Sequence, residues 1–182
     1  MAKAKSKTFP KITTLPQSAF DEYCYQHMLD DTTVDGITDS AFISIIGTPD
    51  CLKYWLDEEN TKHWFNRNHT NVLNLEFDDL TEDREWEGHA FKAMTDEQAD
   101  QVITFVENLI REAKLLGESF KRNFYIHCRA GFSRSAAISR FLKDVYKDYF
   151  TSEFDIIPET WNQGVYRKLI NAYERKHNLL NR

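Results

Sequence analysis

The sequence predicts an α/β protein with a central, mostly parallel sheet flanked by helices. Three observations lead there. Short apolar, β-branched runs recur at 41–47, 71–77 and 124–127. Long amphipathic stretches follow or separate them, which is the alternation expected of strands joined by helical crossovers. Only six glycines and four prolines punctuate 182 residues, so no linker divides the chain and one domain spanning 1–182 is expected.

Taken in order, "AFISIIG" (41–47) reads as a buried strand stopped by Thr48-Pro49, and "NVLNLEF" (71–77) alternates in strand fashion. From Thr95, "TDEQADQVITFVENLIREAKLLG" opens with a Thr-x-x-Gln capping box. It places Ala99, Val102, Ile103, Val106, Leu109, Ile110 and Ala113 on one helical face and ends at Gly117. "FYIH" (124–127) is the third strand, "SAAISRFLKDVYKDYF" (135–150) a helix, and 162–180 a C-terminal helix.

Composition narrows the function. A formal net charge of −6 argues against a nucleic-acid or anionic-membrane partner, since both select cationic surfaces. Cys24, Cys51 and Cys128 are odd in number, widely spaced and without C-x-x-C spacing, a pattern that fits free thiols in a reducing compartment. Cys24 and Cys51 read as core residues. His27, His63, His69, His89 and His177 lack metal-ligand spacing, so neither metal nor cofactor is expected. No run reaches a membrane span, and "MAKAKSKTFPK" lacks the apolar middle of a secretory signal. The expectation is a cytoplasmic protein in which residues 1–10 form a flexible basic tail.

The stretch "NFYIHCRAGFSRS" (123–135) is the candidate site. A strand that enters a helix through a tight loop points unsatisfied backbone N–H groups at one spot, where the helix dipole is positive and anions bind. Gly131 permits the close backbone turn, and Arg134 returns to the same spot with a planar fork suited to phosphate oxygens. Both influences favour the thiolate of Cys128, the nucleophilic form.

This run resembles the His-Cys-x5-Arg-Ser phosphate-binding loop of the protein tyrosine phosphatase superfamily, and "AGFSRS" looks most like the dual-specificity branch. The likeness covers roughly residues 40–173 and implies that family's fold, at dual-specificity size, and a two-step reaction through a cysteinyl-phosphate. Cys128 would attack phosphorus; the amides of Arg129, Ala130, Gly131, Phe132, Ser133 and Arg134, with the Arg134 side chain, would hold the phosphoryl oxygens. Ser135 would help the thiolate depart, and His127 would fix the cysteine. Arg129 and Phe132 read as a solvated arginine and a lining aromatic.

The family also uses an aspartic acid, sought here in "LNLEFDDLTED" (73–83): Asp79 aligns best, Asp78 is the alternative and Asp83 the third choice. Asp79 stands further ahead of Cys128 than in small family members, because "TEDREWEGHAFKAM" (81–94) reads as an insertion. Asn162 matches a family asparagine that braces the loop, and equally reads as a helix N-cap. The resemblance implies a phosphorylated protein as substrate, phosphotyrosine with phosphoserine and phosphothreonine, and inhibition by phosphate- and vanadate-like oxyanions. Two alternatives stand beside it: a phosphoinositide or RNA 5′-phosphatase of the same superfamily, disfavoured by the uncharged loop positions 130–133, and a phospho-binding module with weak catalysis.

Overall fold

Four strands run parallel in the order β1, β6, β2, β3: β1 is Ile12–Pro16, β2 Ser40–Ile46, β3 Val72–Glu76 and β6 Asn123–Cys128. The structure, a computed structural model, describes residues 10–54, 62–150 and 160–178. Nearly all of the expected basic tail and the last residues of the expected C-terminal helix lie outside them. The α/β architecture with a parallel central sheet is the one expected, and β2 is buried along its whole length, as a central parallel strand covered on both faces must be.

The period of two in β2 explains the two layers. Ala41, Ile43 and Ile45 face a large core shared with α3 (Asp96–Leu115), α4 (Arg134–Val145) and α5 (Gln163–Asn178). Phe42 points the other way, into a smaller core with Phe20, Cys24, Leu29, Val34, Phe65 and Val72. The capping box on α3 is formed in both directions between Thr95 and Gln98. Its end is a Schellman turn: Gly117, at φ 67°, donates to the Lys114 carbonyl and Glu118 to that of Ala113.

Five elements were not legible. Strand β1 contains two threonines and a proline, and only Ile12 is fully buried. Its neighbour α1 (Gln17–Gln26) hides only Gln17, Phe20 and Cys24, too thin a stripe to register as helical periodicity. The third is α2 (Pro49–Tyr54), so Pro49 both ends the strand and opens a helix, where its missing N–H costs nothing. Within 81–94, Arg84–Trp86 (β4) and His89–Phe91 (β5) form an antiparallel hairpin. Glu87 and Gly88 turn it with φ of 49° and 79°, the left-handed pair a two-residue hairpin turn needs. Among the described residues no helix is long and apolar enough to cross a membrane.

Candidate active site

The sheet's C-terminal edge places the loop 128–134 where β6 ends and α4 begins. Gly131 adopts φ 77°, and a Cβ there would sit 2.5 Å from the Pro16 nitrogen and 2.6 Å from the Leu15 carbonyl carbon. Only glycine fits, because the loop is pressed against the end of β1. The Arg129 carbonyl accepts from the Gln17 amide at 3.2 Å, fixing the loop to the start of α1.

Cys128 is buried at 2% exposure, with Sγ 3.1 Å from the Ser135 hydroxyl. Burial pushes its thiol up, but hydrogen bonds from the Ser135 hydroxyl and amide, the Arg134 charge and the Gly131 amide outweigh it and hold the pKa below the ordinary value. The other two thiols move the opposite way. Burial, with the Asp21 charge, pushes Cys24 up to about 12; burial, with Asp78, pushes Cys51 up to about 12.

Arg134 is 7% exposed. Its Nη1 donates to the carbonyls of Ile46, at 3.1 Å, and Phe77, at 2.6 Å, so the ends of β2 and β3 aim the guanidinium. Its Nε is buried without a hydrogen-bond partner among the described residues, an arrangement that costs free energy unless a ligand oxygen completes it. Ser133 precedes α4 but its side chain does not cap the helix; its hydroxyl donates instead to Asp79 Oδ1 at 2.7 Å. Cys128, Arg129, Ala130, Phe132, Ser133, Arg134 and Asp79 all line one cavity of about 200 Å³.

The two neighbouring aspartates have different surroundings. Asp79 is exposed and lines that cavity; Asp78 is 2% exposed. The Asp78 carboxylate accepts from the Thr48 amide and hydroxyl, both at 2.8 Å, and from the Lys92 amide at 2.7 Å, pinning the start of α2 to the chain leaving the hairpin. Asp83 pairs with Lys92 at 3.0 Å and accepts from the Ala93 amide. Asn162 Oδ1 accepts from the Val165 amide and caps α5, while Nδ2 donates to Asp79 Oδ1 at 2.7 Å. Its own amide donates to the Ser133 carbonyl at 3.3 Å.

His127 lies behind the nucleophile, 0% exposed and stacked on Phe20 at 4.1 Å. Burial, aided by the His63 and Arg134 charges, lowers it to about 3, so the ring is neutral at any working pH. Its Nε2 meets the Ser44 hydroxyl at 2.7 Å, and that hydroxyl meets His63 Nδ1 at 2.6 Å. No sequence pattern singles out Ser44 or His63: parallel pairing of β2 with β6 sets Ser44 opposite His127. Gln17, from the start of α1, and Ile46, Gly47, Cys51 and Leu52, from the end of β2 through α2, also line the cavity and were likewise invisible, since only the assembled sheet brings them to a loop distant in sequence. Among the described residues no group of three or more His, Cys, Asp or Glu is placed to hold a metal ion.

No family model matches the chain, and no curated protein does. A solved structure, that of human tyrosine phosphatase-like serine/threonine/tyrosine-interacting protein, is similar over 89% of this chain and 86% of its own, at 16% identity and a TM-score of 0.38. That protein's description names the family the loop resembles.

Proposed function

We propose that the chain is a phosphomonoester hydrolase of the Cys-x5-Arg type, a dual-specificity-like member of the protein tyrosine phosphatase superfamily that removes phosphate from phosphotyrosine, and from phosphoserine and phosphothreonine, in proteins. One observation carries this reading. A buried thiol held below its usual pKa, a buried arginine with an unpartnered Nε and an exposed carboxylate face a single small cavity. A structural cysteine needs neither the arginine nor the acid.

In the first step the Cys128 thiolate attacks phosphorus and the P–O bond breaks, the leaving oxygen taking its proton from Asp79. Loop amides and the Nε edge of Arg134 hold the equatorial oxygens as charge redistributes. In the second step Asp79 takes a proton from water, the water oxygen attacks phosphorus, and the P–S bond breaks. The Ser135 hydroxyl, 3.1 Å from Sγ, donates to the departing thiolate. His127, buried behind the cysteine with its pKa pushed down by burial and absent from the cavity lining, takes no proton. Asp79 rather than Asp78 serves as the acid, because the Asp78 oxygens are committed to three donors.

The test is turnover, with a chelator present, on a phosphopeptide panel, a phosphoinositide and a 5′-triphosphorylated RNA. Phosphopeptide hydrolysis is expected, competed by phosphate or vanadate, and Cys128→Ser should abolish it while oxyanion binding persists. Hydrolysis surviving in Cys128→Ser, or confined to the RNA or the lipid, would overturn the reading.

A further inference from the structure

A second concavity, of about 520 Å³, adjoins the first. Asp79 and Cys51 line both, so the proposed general acid stands on the wall between them. The remaining lining is mostly carbon: Tyr54 from α2, Leu80, and Trp86 and Phe91 from the hairpin. Trp86 is 48% exposed on a strand whose three residues all face solvent.

The walls are tied in place. The Tyr54 ring stands edge-on to His89 at 5.2 Å and to Phe91 at 5.4 Å, and its hydroxyl donates to Glu87 at 3.3 Å. Asp50 accepts from the Ala90 amide at 3.2 Å, and Asp78 clamps the hairpin's exit to the start of α2. The Arg84 guanidinium lies 5.0 Å from the Trp86 ring centroid, a cation–π contact.

We propose that this groove takes an apolar side chain of the substrate polypeptide, close in sequence to the phosphoresidue, and so selects which phosphopeptides are used. The inference rests on the phosphatase reading of the adjoining cup. Continuity through Asp79 means that whatever delivers phosphate to Cys128 extends its flanking atoms past the acid and over Trp86. Charge decides the class of occupant. Among the described lining residues Asp78 and Asp79 stand against Arg84, and Asp50 and Glu87 are bonded to the walls; this acidic setting disfavours the further phosphates of RNA or phosphoinositides and leaves an aromatic floor to be covered by a leucine-, isoleucine- or phenylalanine-like group.

The experiment separates the groove from the chemistry. Phosphotyrosyl peptides, each with one flanking position changed from Ala to Leu or Phe, are bound to Cys128→Ser protein by calorimetry, which needs no turnover. At one position Leu or Phe should tighten binding about tenfold or more over Ala, the worth of a filled apolar pocket. The ratio should fall towards one when Trp86→Ala is added, with Trp86→Phe restoring much of it. A flat scan, or a preference untouched by Trp86→Ala in a protein whose melt shows it folded, overturns the proposal. So does a Trp86-dependent preference for lipid or RNA phosphate instead. Turnover of a small aryl phosphate by the wild type, measured alongside, tests the phosphatase reading alone: its absence with the peptide preference intact removes the chemistry and leaves the groove.

Discussion

Asp78 and Asp79 are adjacent in sequence and differ in surroundings, the first clamped in the interior and the second exposed at the cavity. Asp79→Asn should cut kcat by about 10²–10⁴ on substrates with poor leaving groups, the usual worth of a general acid, and less on an acidic aryl leaving group. The basic limb of the pH–rate profile should flatten while the melting temperature stays near wild type. Asp78→Asn should behave the other way. An amide in place of a carboxylate that accepts three donors leaves a buried mismatch costing about 1–3 kcal/mol, read as a melt lowered by about 2–4 °C per kcal/mol in a chain of this size. Loss of the basic limb in Asp78→Asn with full stability would reverse the assignment. The sequence alone ranked these residues by alignment with a motif; it carried no sign of which one faced the Thr48 and Lys92 amides. Cys128, Arg134 and Gly131 were legible because their local spacing already encodes the loop. The Ser44 and His63 pair was not, since only sheet pairing brings it to His127.

Between elements, one titratable clamp secures the smaller core. The His69 side chain, 2% exposed, meets Asp31 through Nε2 at 2.8 Å and Asp35 through Nδ1 at 3.0 Å, a pairing in which the protonated ring donates from both nitrogens. Burial opposes this charge, but the two carboxylates prevail and raise the His69 pKa above 6.5. The His69 hydrogen bond, with the Asn66 donors, lowers Asp31 to about 2 against the cost of its desolvation. The histidine part of the stability is therefore fully present below about pH 6.5 and is lost as pH rises through the raised value. The aspartate part is present above about pH 3.8 and is lost as pH falls towards about 2. The urea midpoint of wild type minus that of His69→Gln should be widest between these limits and narrow on the alkaline side; a difference that grows with rising pH would contradict the clamp. Elements with full apolar stripes, such as β2 and α3, declared themselves in the sequence. Edge strand β1, thinly buried α1 and the short hairpin did not, because tertiary contact rather than local pattern holds them.

Across the whole molecule the three thiols should differ in chemistry. Cys24 and Cys51 are held at about 12 while Cys128 is depressed, so at neutral pH the thiolate population belongs to Cys128. Substoichiometric iodoacetate should label Cys128 first, with phosphate or vanadate slowing it, as mapped by peptide mass spectrometry. Equal labelling of Cys51 would show that the cup gives no selectivity. Composition and cysteine spacing anticipated free thiols, and strand–helix alternation anticipated the parallel sheet, but neither revealed that α1 and α3–α5 take opposite faces. That division follows from the alternation of Ala41, Phe42 and Ile43 across β2.

The close approach of Gly131 to Leu15 and Pro16 also sets an order of events as the chain folds. The loop reaches its working shape only against the end of β1, and β1 joins the sheet solely through β6, with Ile12 opposite Phe124. Joining strands so distant in sequence closes a long loop, a slow step whose entropy is lost before the new contacts reward it. Helices α3 and α4, built from local contacts, can form well ahead of it. Competence to hold an oxyanion should then arise with the last kinetic phase of refolding, after most of the helical circular dichroism has returned, so that the cup acts as a built-in report that edge strand β1 has been sewn in.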